Sequence, residues 1–129
     1  MKPGDDPGLV RGWLRSVGFA LRGIADMLRT QRNVRIHLAA TVAVVITGFV
    51  LRISAGEWAL LVFAIGSVWA AETANTALEI LADRITTEID PQIRRAKDIA
   101  AGSVLLASIT AAVIGILILG PRVWALLAR

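Results

Sequence analysis

The sequence predicts an all-α membrane protein, and three observations support this fold class. Hydrophobic residues make up 56% of the 129 residues, and the mean hydropathy is +0.67, both above what a soluble domain typically has. Long apolar segments alternate with short polar ones, and the first segment has apolar residues at helical spacing. We therefore expect one domain, in which an N-terminal amphipathic surface helix is followed by three transmembrane helices.

The composition also excludes several classes of function. The chain has no cysteine, which rules out disulfides, a thiolate nucleophile and a cysteine-ligated metal. The single histidine, His37, has no partner at metal-site spacing and is expected to pack at the membrane interface. The net charge is +4 and the pI is near 11.0, but the basic residues flank apolar segments, which argues against nucleic acid as a partner.

The surface helix is predicted at about residues 9–33, after a solvated tail at residues 1–8. The tail, MKPGDDPG, lacks the apolar core of a signal peptide. Beyond it, apolar residues recur at intervals of three and four, and the arginines fall outside that stripe. Because the stripe includes Trp13 and the opposite face is basic, this helix suits the interface between lipid and water.

Three segments are predicted to span the membrane, at about residues 35–52, 57–85 and 91–119. A tight turn is expected after the first, at Ser54 to Gly56. The next apolar run, 58–71, is too short for a hydrocarbon core of ~30 Å, so its helix must continue into polar sequence. The third span is expected to begin with Asp90 as N-cap and Pro91 at its first position, and to end at Gly120-Pro121.

The distribution of basic residues predicts the orientation of these spans. Arginine and lysine concentrate in the N-terminal region and in the loop between the second and third spans, and only Arg52, Arg122 and Arg129 fall on the other side. The positive-inside rule therefore places the N-terminus and the second loop in the cytosol.

Four polar side chains interrupt the second span at regular intervals. Glu72, Asn75, Glu79 and Asp83 are separated by three, four and four residues, so they share one face of a helix. With the helix starting near Glu57, Glu72 lies ~22 Å along the axis, still inside a hydrocarbon core of ~30 Å. A carboxylate at that depth must face a protein interior or a wet cavity, and it marks a candidate functional site.

Further charged groups are predicted near the same level, where the third span begins. Lys97 and Asp98 enter the membrane there, at nearly the depth of Glu79. Carboxylates at two levels, an amide between them and a basic group opposite suit chemistry on a phosphate, which needs a divalent cation, a base and a countercharge. The chain has no glycine-rich phosphate loop, which excludes the architectures of the soluble kinases.

The segments ETANTALEILADR and AKDIAAGSVLLASI, with LRGIADMLRTQRNVRIHL upstream, resemble the signature of the small bacterial membrane kinases that phosphorylate diacylglycerol or undecaprenol. The resemblance extends over nearly the whole chain, from about Arg11 to Ile118. It implies a homotrimer with shared sites in the cytoplasmic membrane, with Mg²⁺, ATP as co-substrate and a membrane lipid as acceptor. The segment RNVRIH is more similar to the undecaprenol kinase branch.

The resemblance also implies roles for individual residues. Glu72 corresponds to the general base, Asn75 to the amide that orients it, and Glu79 to a ligand of the metal. Lys97 and Asp98 correspond to residues that contact the nucleotide, and we expect Lys97 also to stabilise charge on the transferred group. Glu88 and Asp90 fall in the loop that contacts ATP.

One position departs from the family pattern. Eight residues after Gly23 the family usually has a glutamate that is a second metal ligand, and this chain has Gln31. An amide oxygen can bind magnesium but brings no negative charge. The alternatives to a lipid kinase are therefore a catalytically weak oligomeric paralogue and, because intramembrane carboxylates also mark ion paths, a small proton- or cation-coupled transporter.

Overall fold

The computed structural model describes residues 7–86, 88 and 90–128, with the backbone alone for Pro7 and Leu9. It contains four helices in the order α1 (Pro7–Thr30), α2 (Arg32–Val50), α3 (Ala55–Ile85) and α4 (Pro91–Leu127). The described residues form no strand, so the predicted all-α class is confirmed. Helices α2, α3 and α4 are long and apolar enough to cross a membrane, which confirms the three predicted spans.

A single residue separates α1 from α2. Gln31 has an extended backbone (φ −97°, ψ 121°), and its N–H donates to the Met27 carbonyl at 2.9 Å. The surface helix, predicted at 9–33, therefore begins two residues earlier and ends at Thr30. The sequence TQRN gives no sign of this break because it contains neither glycine nor proline. That α1 lies on the membrane surface stays a prediction.

The turn between α2 and α3 lies earlier than predicted. Arg52 makes the reversal with a positive φ of 49°, whereas Ala55 and Gly56 are already helical. Ser54 is the N-cap of α3, since its hydroxyl accepts from Glu57 N–H at 3.3 Å while the Glu57 carboxylate accepts from Ser54 N–H at 2.7 Å. This capping box satisfies two otherwise unpaired N–H groups and fixes the start of the helix.

Close packing joins α2 to α3 beside this turn. Gly48 is buried, and a Cβ at this position would lie 2.9 Å from the Trp58 ring. The ring also contacts Phe49, with 4.8 Å between centroids. Trp58 thus packs α3 on α2. Further along, Trp69 Nε1 donates to Thr41 Oγ1 at 3.1 Å.

The prediction that Gly120-Pro121 ends the third span is wrong, because α4 continues to Leu127. Proline removes one helical hydrogen bond, but a tertiary contact holds the next turn in place. Arg122 Nη2 pairs with the Glu57 carboxylate at 2.8 Å, and its Nη1 lies 3.4 Å from the Leu51 carbonyl. The guanidinium thus ties α4 to the capping box of α3 and to the end of α2.

The lengths of the helices determine where the site lies. The 19 residues of α2 match a hydrocarbon core of ~30 Å, since each residue rises ~1.5 Å. The 31 residues of α3 and the 37 of α4 exceed it by roughly 15 to 25 Å. A small core of Ile53, Leu61 and Leu119 lies near the α2–α3 turn. The opposite end of the α3–α4 pair, which we call the loop end (residues 79–98), carries most of the predicted site residues.

Candidate functional site

Three polar side chains are buried on one face of α3. Glu72 is 4% exposed, Thr76 is 5% exposed and Asn75 is 9% exposed, whereas Thr73 and Ala74 between them are exposed. The spacing of three and four residues explains this difference, because it places the buried residues on one side of the helix. Glu72 therefore faces the protein interior, as a carboxylate at its depth must. Its carboxylate has no hydrogen bond to any described residue.

An internal hydrogen bond orients the amide below Glu72. Asn75 Nδ2 donates to Glu79 Oε1 at 3.0 Å, one turn further along the same face. The other end of the amide, Oδ1, is buried and has no partner among the described residues. A buried acceptor without a donor or cation costs about 1 to 3 kcal/mol, so this oxygen is available to a ligand.

A salt bridge connects α3 to α4 at the loop end. Lys97 Nζ lies 2.7 Å from Asp83 Oδ1, and the side chains are 34% and 69% exposed, respectively. The bridge brings Lys97 to the polar face of α3, as the sequence predicts. Asp83 is thus the partner of Lys97.

The loop between α3 and α4 borders an open polar groove of about 500 Å³. Asp90 caps α4, since Oδ1 accepts from the N–H groups of Gln92 at 2.7 Å and Ile93 at 3.2 Å, which confirms the predicted cap. Glu88 is exposed, and its N–H donates to Thr86 Oγ1 at 3.0 Å. The groove is lined by Asp83, Thr86, Glu88, Asp90, Ile93, Arg94 and Lys97.

The predicted site residues therefore fall into two groups. Glu88, Asp90 and Lys97 share the polar groove, whereas Asp98 is exposed and does not line it. Glu72 and Asn75 are buried deeper in α3, and Glu79 connects the groups through its bond to Asn75. Glu72 and Asp83 are separated by ~16 Å along the helix axis, so a substrate that contacts both groups must be elongated.

Gln31 lies at the elbow between α1 and α2, and both of these helices contact α3. The flanking residues Met27 and Val34 are 4% and 0% exposed, and Gln31 itself is half-buried. Its side chain makes no capping hydrogen bond to α2. The amide is thus not committed to holding the helix end.

The oxygen donors fit magnesium in the form in which it accompanies a nucleotide. The described residues contain no group of three or more acidic or histidine side chains that could hold a metal alone. Magnesium in kinases, however, takes only one or two protein carboxylates and completes its shell with phosphates and water. Glu79 and the unpartnered Oδ1 of Asn75 are compatible with that smaller set.

Sequence reasoning did not single out Thr76 as a site residue. The available signal was its position, four residues after Glu72 and one after Asn75, which places it on the same face. Threonine is common in membrane helices, so its burial beside Glu72 became evident only from the structure.

A second, apolar groove of about 660 Å³ lies between α2, α3 and α4. His37 lines it beside Thr41 and Val44, which agrees with the packing role expected from the sequence. The groove extends along α4 past Ser108 and Gly115. No aspartate, glutamate, lysine or arginine lines it, so it lacks the groups needed for phosphate chemistry.

Comparison with known proteins identifies the family. The sequence is 39% identical to undecaprenol kinase of Bacillus subtilis strain 168 over 110 residues, which is 85% of this chain and 89% of that protein. It is 36% identical to diacylglycerol kinase of a Synechocystis species over 115 residues (88% of this chain, 66% of that protein) and 31% identical to diacylglycerol kinase of Pseudomonas aeruginosa over 94 residues (73% and 76%). Residues 18–119 match the family described as prokaryotic diacylglycerol kinase, and the chain belongs to that family.

Proposed function

We propose that this protein transfers the terminal phosphate of ATP to the hydroxyl group of a membrane lipid alcohol, undecaprenol or diacylglycerol. The observation that carries the proposal is Glu72, which is 4% exposed in a candidate membrane helix and has no partner among the described residues, in a chain of the diacylglycerol kinase family. A base held in that position meets an acceptor that stays in the lipid phase. The relative from Bacillus subtilis favours undecaprenol as the acceptor.

Glu72 is proposed as the general base. It removes the proton of the lipid hydroxyl as the oxygen forms its bond to the terminal phosphorus, and the bond from that phosphorus to ADP breaks. The products are the lipid phosphate and ADP. Asn75 orients this end of the site through its hydrogen bond to Glu79. Most of the rate enhancement comes from holding donor and acceptor in line, because phosphoryl transfer needs little covalent help from the protein.

The polar groove at the loop end is proposed to bind the nucleotide. Lys97 supplies positive charge near the phosphates once it leaves Asp83, while Glu88 and Asp90, which line the groove, contact the rest of ATP. For Asp98, which lies outside the lining of the groove, a contact with the nucleotide is proposed from the family resemblance alone. Glu79, with Gln31 at the α1–α2 elbow, would hold Mg²⁺. When bound, the ion neutralises charge on the phosphates.

The reaction is proposed to take place at the cytosolic interface of the bacterial inner membrane. The arginine and lysine residues of α1 and of the α3–α4 loop support this orientation. We also propose a homotrimer, which the family resemblance implies and which would cover the apolar surface that a single chain leaves open on α4.

Purified protein in detergent, with labelled ATP, Mg²⁺ and either lipid alcohol, tests the proposed function. We expect transfer of label to the lipid by the wild-type protein and a loss of at least about 100-fold in kcat for Glu72→Gln, which keeps the shape of the side chain but removes the base. Asp26→Asn, the same carboxylate-to-amide change at an exposed position of α1 outside the proposed site, is the matched control and should keep most of the kcat. The proposal would be refuted if the wild-type protein formed no lipid phosphate with undecaprenol and none with diacylglycerol.

The same preparation separates the alternatives. A cation-coupled transporter would give ion-dependent flux in liposomes without forming lipid phosphate. A catalytically weak paralogue would form the same trimer but show no transfer at any Mg²⁺ concentration.

A further inference from the structure

Most threonines in these helices use their hydroxyl groups locally. In each case the hydroxyl donates to the carbonyl four residues earlier, at distances of 2.7 to 2.9 Å. Such a bond satisfies the hydroxyl inside an apolar medium and is the usual arrangement for threonine in a membrane helix. The residues concerned are Thr30, Thr47, Thr73 and Thr110.

Thr76 is different, although it is more deeply buried than these residues. Its side chain is only 5% exposed, yet its hydroxyl makes no hydrogen bond to the Glu72 carbonyl or to any other described residue. Thr73, one turn earlier and exposed, bonds to the Trp69 carbonyl at 2.7 Å. The Thr76 oxygen is not among the fully enclosed unpartnered atoms of the described residues, which are Asn75 Oδ1 and Ser108 Oγ, so a ligand can still reach it.

The groups around Thr76 are hydrogen-bond acceptors or donors that already have a partner. The Glu72 carboxylate, four residues before it on the same face, only accepts hydrogen bonds when ionised. Asn75 Nδ2 already donates to Glu79, and its unpartnered Oδ1 is an acceptor. The hydroxyl of Thr76 therefore supplies this buried surface with a donor that is not already in use.

A lipid alcohol complements this set of groups. Its hydroxyl has one hydrogen to donate and an oxygen that accepts. If the hydrogen points to the Glu72 carboxylate, the oxygen needs a donor from the same side of the helix. A donor there fixes the direction of the oxygen and leaves one lone pair free for the phosphorus.

We infer that Thr76 is an acceptor-contacting residue, whose hydroxyl donates a hydrogen bond to the oxygen of the lipid alcohol while Glu72 accepts the hydrogen of that alcohol. This inference rests on the proposed function and deepens it. It gives a partner to a hydroxyl that has none among the described residues. It also assigns Thr76 to the lipid and not to the nucleotide, whose groove begins about two turns further along α3.

The test compares Thr76→Val, Thr76→Ser and the control Thr73→Val. Valine has the shape of threonine without its hydroxyl, serine keeps the hydroxyl, and Thr73 offers the same change at an exposed position of the same helix. For each variant, kcat and KM are measured separately for the lipid alcohol and for ATP, and thermal unfolding is followed in the same detergent.

For Thr76→Val we expect kcat/KM for the lipid alcohol to fall about 10-fold or more, with the KM for ATP unchanged. Thr76→Ser should recover most of this loss, and Thr73→Val should behave like the wild-type protein. The thermal stability of Thr76→Val should stay close to that of the wild type, because the Thr76 hydroxyl makes no hydrogen bond to a described residue that the change could break. A purely structural role would instead lower the stability.

The other outcomes separate this inference from the proposed function. Unchanged lipid kinetics in Thr76→Val, or a change confined to the KM for ATP, would overturn the role of Thr76 while the wild-type activity upholds the kinase. Failure of the wild-type protein to phosphorylate either lipid would overturn both.

Discussion

The carboxylates of α3 differ in burial and in partners. Glu72 is almost fully buried and unpaired, Glu79 is half-buried and accepts from Asn75, and Asp83 is exposed and pairs with Lys97. The exposure of these three carboxylates increases toward the loop end. This order is compatible with the proposed site, in which the base lies deep in α3 and the groups that bind ATP lie on the same face near the loop.

At Lys97 we predict that removing the ammonium group impairs catalysis more than stability. Lys97→Met should lower kcat by about 100-fold or more if the charge stabilises the transferred phosphate. The salt bridge with Asp83 is partly exposed and contributes at most about 1 kcal/mol to folding. Steady-state kinetics and thermal unfolding measure the two effects.

The control for this prediction is Asp83→Asn, which breaks the same salt bridge but keeps the ammonium group. It should retain most of the kcat. An equal loss of kcat in both variants would show that the pair acts as a structural unit and that Lys97 does not act on the phosphate.

At Gln31 we predict that restoring a carboxylate strengthens metal binding. Gln31→Glu should lower the Mg²⁺ concentration for half-maximal activity several-fold, because magnesium prefers charged oxygen donors. Asn33→Asp adds the same charge at an exposed position two residues away and serves as the control. If Gln31→Glu leaves the Mg²⁺ dependence unchanged, the elbow does not contribute to the metal site.

On the scale of helices, contacts at the α2–α3 turn connect three elements. Glu57 closes the capping box with Ser54 and pairs with Arg122 of α4, while Gly48 admits the ring of Trp58. These contacts lie at the opposite end of α3 from the site. They fix the position of α4 relative to α3, and thereby the position of Lys97.

We predict that Gly48→Ala destabilises the fold. The added Cβ would lie 2.9 and 3.0 Å from two atoms of the Trp58 ring, and overpacking of this kind costs about 1 to 3 kcal/mol. Gly66→Ala, in the interior of α3 with open space around it, is the control and should stabilise the helix by about 0.5 to 1 kcal/mol. Thermal unfolding in detergent compares the two, and equal effects would contradict the close contact.

On the scale of the whole molecule, the helices of the α3–α4 pair are longer than a hydrocarbon core of ~30 Å, and we expect the loop end to project beyond it. The side on which it projects decides whether ATP can reach the groove. The positive-inside rule predicts the cytosol.

Labelling of introduced cysteines tests this orientation, and the natural chain has no cysteine to interfere. We expect a membrane-impermeant thiol reagent to label Gly56→Cys in intact cells and Gln92→Cys only after lysis. Both positions are exposed, and they lie at opposite ends of the α3–α4 pair. Labelling of Gln92→Cys in intact cells would place the site outside and contradict a kinase that uses cellular ATP.

The sequence by itself determined the number of helices, the three spans and the shared face of Glu72, Asn75 and Glu79. Hydropathy and helical period are properties of neighbouring residues, so they can be read along the chain. The Asp90 cap with Pro91 was readable for the same reason. The S-x-x-E spacing of Ser54 and Glu57 is also a local pattern, and it indicates a capping box that places the start of α3 at Ala55.

Only the tertiary structure decided which groups find partners. Arg122 lies 65 positions from Glu57 in the sequence, and the contact between them stabilises the part of α4 that follows Pro121. Local sequence rules predict that the helix ends at this proline. Lys97 pairs with Asp83 across 14 positions, whereas Thr76 is buried without a partner. Such contacts depend on how the helices pack against each other, and no local pattern in the sequence predicts which distant residues meet.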